Sequence, residues 1–283
     1  MTDRTLIPPG ADRDVVTIDT TVAHASRMYD YLLGGSDNFA IDREVAQHAF
    51  SAYPGGLDGV RADVRANRAF LGRAIRYLAG EAGVRQFLDI GPGIPNDDNT
   101  HAVAQATAPD AHVVYVDNDP IVLAHAHSLL RSTREGVTAY VRGDLREPEA
   151  ILEVAAGTLD FSRPVALVLV GLLHVVPDRY APHDKVATLI EAVAPGSYLA
   201  LSHLASDQQP DEMEVVRQRL AEPLRTTNPP AWRSRAEVSR FFDGLDLIEP
   251  GVITAPAWRP DDTTPPLPSD RVPPLYGAVG RKP

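Results

Sequence analysis

Residues 87–95 read FLDIGPGIP: an apolar run carrying Asp89, then Gly91 and Gly93 on either side of a proline. The run reads as a buried strand, and the glycines let the backbone turn sharply and pass close to a ligand. In open α/β sheets the crevice beyond the carboxyl ends of the strands is where ligands bind. A plain strand-to-helix turn without a ligand is the competing interpretation, so the segment gains meaning from its neighbours.

Working outward, Val113–Asp119 reads VVYVDND, which places Asp117 at the end of the next strand, 24 positions after Gly93. A carboxylate there can accept both hydroxyls of a ribose. Asn118, Asp119 and Pro120 also look like a helix start, so Asp119 can cap while Asp117 binds. The third unit, VRGDLREP (141–148), ends a strand at Asp144-Leu145, where an acid can accept from an adenine amino group and a leucine can pack on the ring. Taken alone, that aspartate is equally a loop cap. Together, acids at three consecutive strand ends, with glycines after the first, describe a slot for an adenosine carrying an amino acid.

Further along, PVALVLVGL, a helix around 183–193 and SYLALSHL continue the alternation of apolar strands with helices, which implies parallel strands buried on both faces. Upstream, residues 63–79 carry Phe70, Leu71, Ala74, Ile75 and Leu78 at helical spacing, an amphipathic helix leading into the sheet. Before it, residues 21–53 read as helix, turn, helix, broken at Gly34-Gly35 and restarted at Ser36-Asp37-Asn38. Past residue 207, helices near 211–220 and 235–242 precede the strand-like LDLIEPGVI and LYGAVGR. Seven prolines between Pro256 and Pro274 make that stretch an extended connection. The expected organisation is a flexible tail over 1–20, a helical cap over 21–80 and an α/β domain over 81–283.

Composition removes several function classes. The 283 residues hold 27 basic against 38 acidic side chains, a net charge of −11, whose field repels nucleic acid and anionic lipid. The absence of cysteine removes disulfide frameworks, thiolate metal sites and cysteine nucleophiles, and fits a cytoplasmic enzyme. The first twenty residues lack the apolar core of a secretory signal, and the longest apolar run, 165–176, falls short of the roughly 20 residues that span a bilayer. Acidic pairs such as Asp97-Asp98 and Asp261-Asp262 read as solvated loops, so no metal is expected.

The series DIGPG, VYVDND and RGDLRE, followed by LLHVVPD, resembles the motifs of class I S-adenosylmethionine-dependent methyltransferases. More closely, RMYDYLLGGSDNFAIDRE, NRAFLGRAIRYLAGEAGVRQFLDIG, DNTHAVAQ, VVYVDNDPIVLAHA, FSRPVALVLVGLLHVVPD and APGSYLALSH, spanning about 22–205, are similar to a bacterial S-adenosyl methyltransferase family long catalogued as a domain of unknown function. The resemblance implies a doubly wound, mostly parallel seven-stranded sheet in the order 3-2-1-4-5-7-6, LYGAVGR being the antiparallel seventh strand, with extra N-terminal helices. It implies S-adenosyl-L-methionine as cofactor, held by Asp89, Gly91, Gly93, Asn99, Asp117, Asn118, Asp144, Leu145 and Gly171. One departure is Pro95, which stands where the superfamily has a third glycine, with NDDNTH inserted before the helix. Proline offers no backbone donor, so Asp97, Asp98 or Asn99 becomes the candidate partner for the cofactor's ammonium group; the alternative is that Asn99 or Thr100 simply caps the helix.

His174, after the fourth strand, is the candidate general base, and His203, ending the fifth, a candidate rim residue. Arg27, Tyr29, Tyr31, Asp37 and Asn38 cluster around the Gly-Gly turn as a candidate lid over cofactor and substrate; the alternative is a helix pair packed on the sheet edge. The expected reaction is methyl transfer to a small-molecule acceptor, with no nucleic-acid or membrane partner. Two rivals stand beside it. A nicotinamide-dependent oxidoreductase would use the same glycine turn and Asp117, although the loop lacks G-x-G-x-x-G. A non-catalytic S-adenosylmethionine sensor would need only the cofactor residues.

Overall fold

The computed structural model describes residues 19–95, 99–119, 121–122, 132–227, 229–262, 264–266 and 272–283. Three helices come first: α1 (Ala25–Leu33), α2 (Ala40–Phe50) and α3 (Gly56–Gly80). The alternating portion then runs β1 (Gln86–Ile90), α4 (Thr100–Thr107), β2 (His112–Asp117), β3 (Val137–Arg142), α5 (Pro148–Ala155), β4 (Ala166–Val170), α6 (Pro182–Ala192) and β5 (Tyr198–Leu204). It closes with α7 (Pro210–Ala221), α8 (Arg235–Ser239), β6 (Asp246–Leu247), β7 (Ile253–Thr254) and β8 (Leu275–Arg281). The helix expected from about Pro120 falls largely outside the described residues.

The sheet order is β3-β2-β1-β4-β5-β8-β6, with β7 also on β8. Strands β1 to β5 pair in parallel, and β8 runs antiparallel to β5, Leu201 opposite Ala278. That agrees with the expected architecture, with one difference. LDLIEPGVI is not one edge strand but two short ones on β8, Asp246 opposite Arg281 and Ile253 opposite Gly277. Between them Pro250 has no N–H for the ladder, and Gly251 sits at φ +79°, so the chain turns out of the sheet and returns.

Neighbouring residues of the parallel strands feed opposite faces, and both faces are apolar. Leu88, Val114, Leu167, Leu199 and Leu201 pack with Ile151 of α5, Val186 and Leu189 of α6, and Phe241. Phe87, Val113, Tyr115, Val168 and Ala200 pack under Phe70, Ile75 and Leu78 of α3 and under Trp258. This double cover explains why β1 has no exposed position and no alternating pattern. Helix α3 fits closely because β8 offers Gly277 beneath Phe70; a Cβ there would lie 2.9 Å from the ring. Arg73 fastens the same helix, donating to the carbonyls of Trp258 at 3.0 Å and Ala255 at 2.8 Å. A separate apolar cluster joins α1, α2 and α7 through Met28, Leu32, Ala46, Phe50, Met213 and Val216. Among the described residues no helix is long and apolar enough to cross a membrane.

Candidate functional site

A cleft of about 1130 Å³, open to solvent, lies over the carboxyl ends of β1 to β4, roofed by α1 and α3. Its floor is the turn after β1. Gly91 and Gly93 stand at φ +71° and +70°, and a Cβ on Gly91 would come within 2.6 Å of Leu172 Cδ1, so that turn admits only glycine without movement. The Gly91 amide donates to Val116 O at 2.7 Å, and that of Gly93 to Asp117 Oδ2 at 3.2 Å.

Asp117 is buried, and burial pushes its carboxyl up to about 6 against the backbone donors that favour its charge. Its Oδ1 accepts from the Asp119 amide at 2.8 Å and its Oδ2 from Gly93. A carboxylate offers about four acceptor positions, and the backbone N–H groups of Gly93, Asn118 and Asp119 leave acceptor capacity toward the cleft that Asp117 lines. Asp89 is not in the lining. It lies beneath the turn, accepting from Thr100 Oγ1 at 2.6 Å, and burial raises it also to about 6, with Thr100 and the positive charge of Arg68 pulling the other way. Its place is to tie β1 to the start of α4.

Asp144 and Leu145 line the far side. Asp144 Oδ1 accepts from the backbone and Nε of Arg146, and Oδ2 from Asn118 Nδ2 at 2.9 Å and from Arg146 Nη2. Burial works against its charge, but these bonds together hold it below the usual carboxylate range. All four acceptor positions are thus filled from within, and an adenine amino group reaches Asp144 only after the half-exposed Arg146 side chain swings away. Arg146 also sits over the Tyr180 ring at 5.1 Å.

Gly171 lies at φ +77° on the cleft wall, close to Asn67 of α3. His174 follows in a short 3-10 turn, Leu173–Val175. Its Nδ1 is buried without a hydrogen-bond partner among the described residues, and burial, with Arg233 nearby, pushes the imidazole down to about 4. It is therefore neutral at pH 7 and a weak base. His203 lies elsewhere than expected: it is fully buried outside the cleft, Nδ1 at 2.7 Å from Leu204 O and Nε2 at 2.8 Å from Arg233 Nη1. With both ring nitrogens committed it braces the sheet and has no free atom for a substrate.

The N-terminal candidates divide. Tyr29 lines the cleft, its hydroxyl donating to Val64 O at 3.3 Å and accepting from Asn67 Nδ2 at 3.1 Å. Arg27 does not: it is buried, with Nε 3.0 Å from Asp42 Oδ2 and Nη2 donating to Val22 O. Tyr31 accepts from Gln47 Nε2 at 2.8 Å on the outer side. The amide of Asp37 and Nδ2 of Asn38 both donate to Asp30 Oδ2, which shapes the turn between α1 and α2. Asn99 precedes α4 with no side-chain capping bond and lies outside the lining, while Asp97 and Asp98 fall outside the described residues.

Several residues of the site were not singled out by the sequence reading. Ser26 Oγ donates to Asp119 Oδ2 at 2.7 Å, and His24 Nδ1 stands 3.1 Å from the same oxygen, so the start of α1 is fixed to the end of β2. Asn67 bridges Tyr29 and Ser202 Oγ (2.6 Å), and Arg68 brings a cation to the cleft beside Asp89. The one signal available was a polar Asn67 within the apolar stripe of α3. Arg233, 3% exposed, donates to the carbonyls of Leu173, Val176 and Ala231 and pairs with Asp178, holding the segment that carries His174.

Residues 11–283 match the model of a family described as S-adenosyl methyltransferase. A crystal structure of a DUF574 family protein from Streptomyces avermitilis is 42% identical, with a TM-score of 0.87 over 94% of this chain and 100% of that one. A candidate methyltransferase from Thermobifida fusca is 40% identical, with a TM-score of 0.81 over 92% of this chain and 95% of that one. No curated protein matches the chain.

Proposed function

The chain belongs to the S-adenosyl methyltransferase family and is an S-adenosylmethionine-dependent methyltransferase; from that premise we propose that its acceptor is a small molecule and that the cleft over β1 to β4 holds the cofactor. The observation that carries the placement is Asp117, a buried carboxylate that lines the cleft with acceptor capacity beyond its backbone donors, beside a turn that brings bare backbone to the cleft. That chemistry fits the two hydroxyls of a ribose. Around it, Leu145 offers an apolar surface for the adenine, Asp144 a partner for its amino group once Arg146 withdraws, and Arg68 a cation for the amino-acid carboxylate. Bound there, the cofactor supplies a methyl group already activated by its positive sulfur.

The protein's own task is then to hold an acceptor in line and keep water out, which accounts for a large share of such a rate enhancement. His174, neutral and without a partner on Nδ1, supports a role as hydrogen-bond acceptor and proton relay more than as a strong base. We read residues 21–80 as a cap over the domain that follows, working in a bacterial cytoplasm; the sources of the two relatives support the bacterial part of that reading, and the absence of cysteine fits the compartment. A small acceptor is favoured over nucleic acid by the net charge of −11.

With methyl-labelled cofactor and a cell extract divided by size, label is expected in the low-molecular-weight fraction; label confined to protein or nucleic acid would refute a small acceptor. The pH dependence of cofactor binding follows from Asp117. Its carboxyl is protonated below about 6, where it accepts fewer hydrogen bonds, so affinity for S-adenosylhomocysteine is expected to rise as pH increases from 5 to 7. Calorimetry across that range checks it, and a profile that falls with rising pH would contradict it.

A further inference from the structure

Beside the cofactor cleft lies a second recess, about 720 Å³ including its opening to solvent, between α1, α2 and α3 on one side and α7 with residues 230–232 on the other. The two share Ala25, Tyr29, Asn67, His174 and Val175, so they adjoin across these side chains, which form the neck between them. The recess is walled mainly by Met28, Leu32, Phe50, Val60, Leu224 and Trp232. Most of its polar side chains are already engaged: Tyr53 Oη donates to Asp63 Oδ2 at 2.8 Å, and Asn67 is shared between Tyr29 and Ser202. At the neck, His174 Nδ1 is buried with no hydrogen-bond partner among the described residues.

Resting on the methyltransferase reading above, we propose that this recess is the acceptor site, and that it takes an uncharged, polycyclic or aromatic molecule whose single hydroxyl points through the neck at His174 Nδ1. The apolar wall selects the body of the molecule, because a buried unpaired charge there would go uncompensated. A buried imidazole nitrogen without a partner is an unmet hydrogen bond, and an acceptor hydroxyl meets it once the ring turns Nδ1, closed to solvent as it stands, toward the recess. The same contact fixes the reaction. The hydroxyl oxygen bonds to the methyl carbon as the bond from that carbon to sulfur breaks, its electron pair remaining on sulfur. The hydroxyl proton passes to His174 Nδ1 and then to solvent. An oxygen gaining a methyl group makes its proton strongly acidic, so a weak base suffices. The packing of α1 against α2 and α7 thus builds the substrate wall, while the start of α1, through Ser26 and Asp119, is anchored to the cofactor side.

The probes are naphthalene, 2-naphthol and 2-naphthoate, titrated by fluorescence into the full chain in the presence of S-adenosylhomocysteine, whose own binding is measured first by calorimetry. The expected result is saturable binding in the order 2-naphthol above naphthalene above 2-naphthoate. Val64→Trp, or the milder Val60→Phe, fills the recess and is expected to weaken 2-naphthol at least tenfold while S-adenosylhomocysteine binds as before, which also shows that the variant is folded. His174→Phe is expected to abolish the preference for 2-naphthol over naphthalene. Binding of S-adenosylhomocysteine with no naphthalene probe bound, or with 2-naphthoate bound most tightly, or with 2-naphthol unaffected by both filling variants, would overturn the proposal alone. Failure of S-adenosylhomocysteine itself to bind would instead overturn the cofactor placement on which it rests.

Discussion

Asp117→Asn is expected to weaken binding of S-adenosylhomocysteine by a factor of about 100 or more, with no loss of thermal stability at pH 7.5. The affinity term comes from exchanging a carboxylate for an amide where two hydroxyls are to be accepted; hydrogen bonds to a charged group contribute roughly 1.5–3 kcal/mol each, and about 1.4 kcal/mol is a factor of ten. The amide also sets a donor against the Gly93 N–H, 3.2 Å away, a cost to the turn that relief from burying a charge offsets. The stability term has the opposite sign. Folding raises this carboxyl from its ordinary value near 3.8 to about 6. Between those values the folded state binds the proton more tightly, so the contribution of Asp117 to stability declines as pH rises and is at its least favourable above 6. A side chain that never ionises escapes that cost. Calorimetry and thermal melts on one preparation read both terms, and an affinity within threefold of the wild type would contradict the role given to Asp117.

Arg233→Met is expected to destabilise the fold by about 3 kcal/mol or more, the range for breaking a buried charged network. The guanidinium is enclosed and donates to three backbone carbonyls and to His203 Nε2, while its partner Asp178 is 83% exposed. Its effect therefore comes chiefly from carbonyls left without donors, and little from the ion pair, whose acid returns to water at small cost. Because Leu173, Val176 and Ala231 all belong to the segments around His174, the loss is expected to reach the neck between cleft and recess. Urea denaturation measures the first effect. A change below about 1 kcal/mol would mean that water substitutes for the guanidinium, and that the segment after β4 is held by other contacts.

The parts of this protein that were legible in its sequence are those encoded locally. FLDIG is legible as a strand and turn, since a strand buried on both faces is mostly apolar, here around Asp89, and its turn requires glycine. Asp117 and Asp144 follow from the same repeat of strand and turn. What was not legible depends on which side chains the fold brings together. Position at a strand end marked His203 as a rim residue, but its side chain turns into the protein against Arg233, thirty residues later. Arg27 looked like a polar lid residue and is instead sealed with Asp42, which is fully buried. Asn67 was hidden by its helix, where a polar residue within an apolar stripe becomes meaningful only once Tyr29 and Ser202 are placed at its two ends. The split of LDLIEPGVI shows the limit on the strand side: its apolar residues promise a strand, and Pro250 removes the donor that would have kept it whole.

The most direct test of the cofactor placement is diffraction from crystals grown with S-adenosylhomocysteine. The expected density lies over the turn at Gly91 and Gly93, with both ribose hydroxyls within hydrogen-bond distance of Asp117 and the sulfur facing the neck beside His174. Ribose hydroxyls held by any other residue, or density outside this cleft, would contradict it.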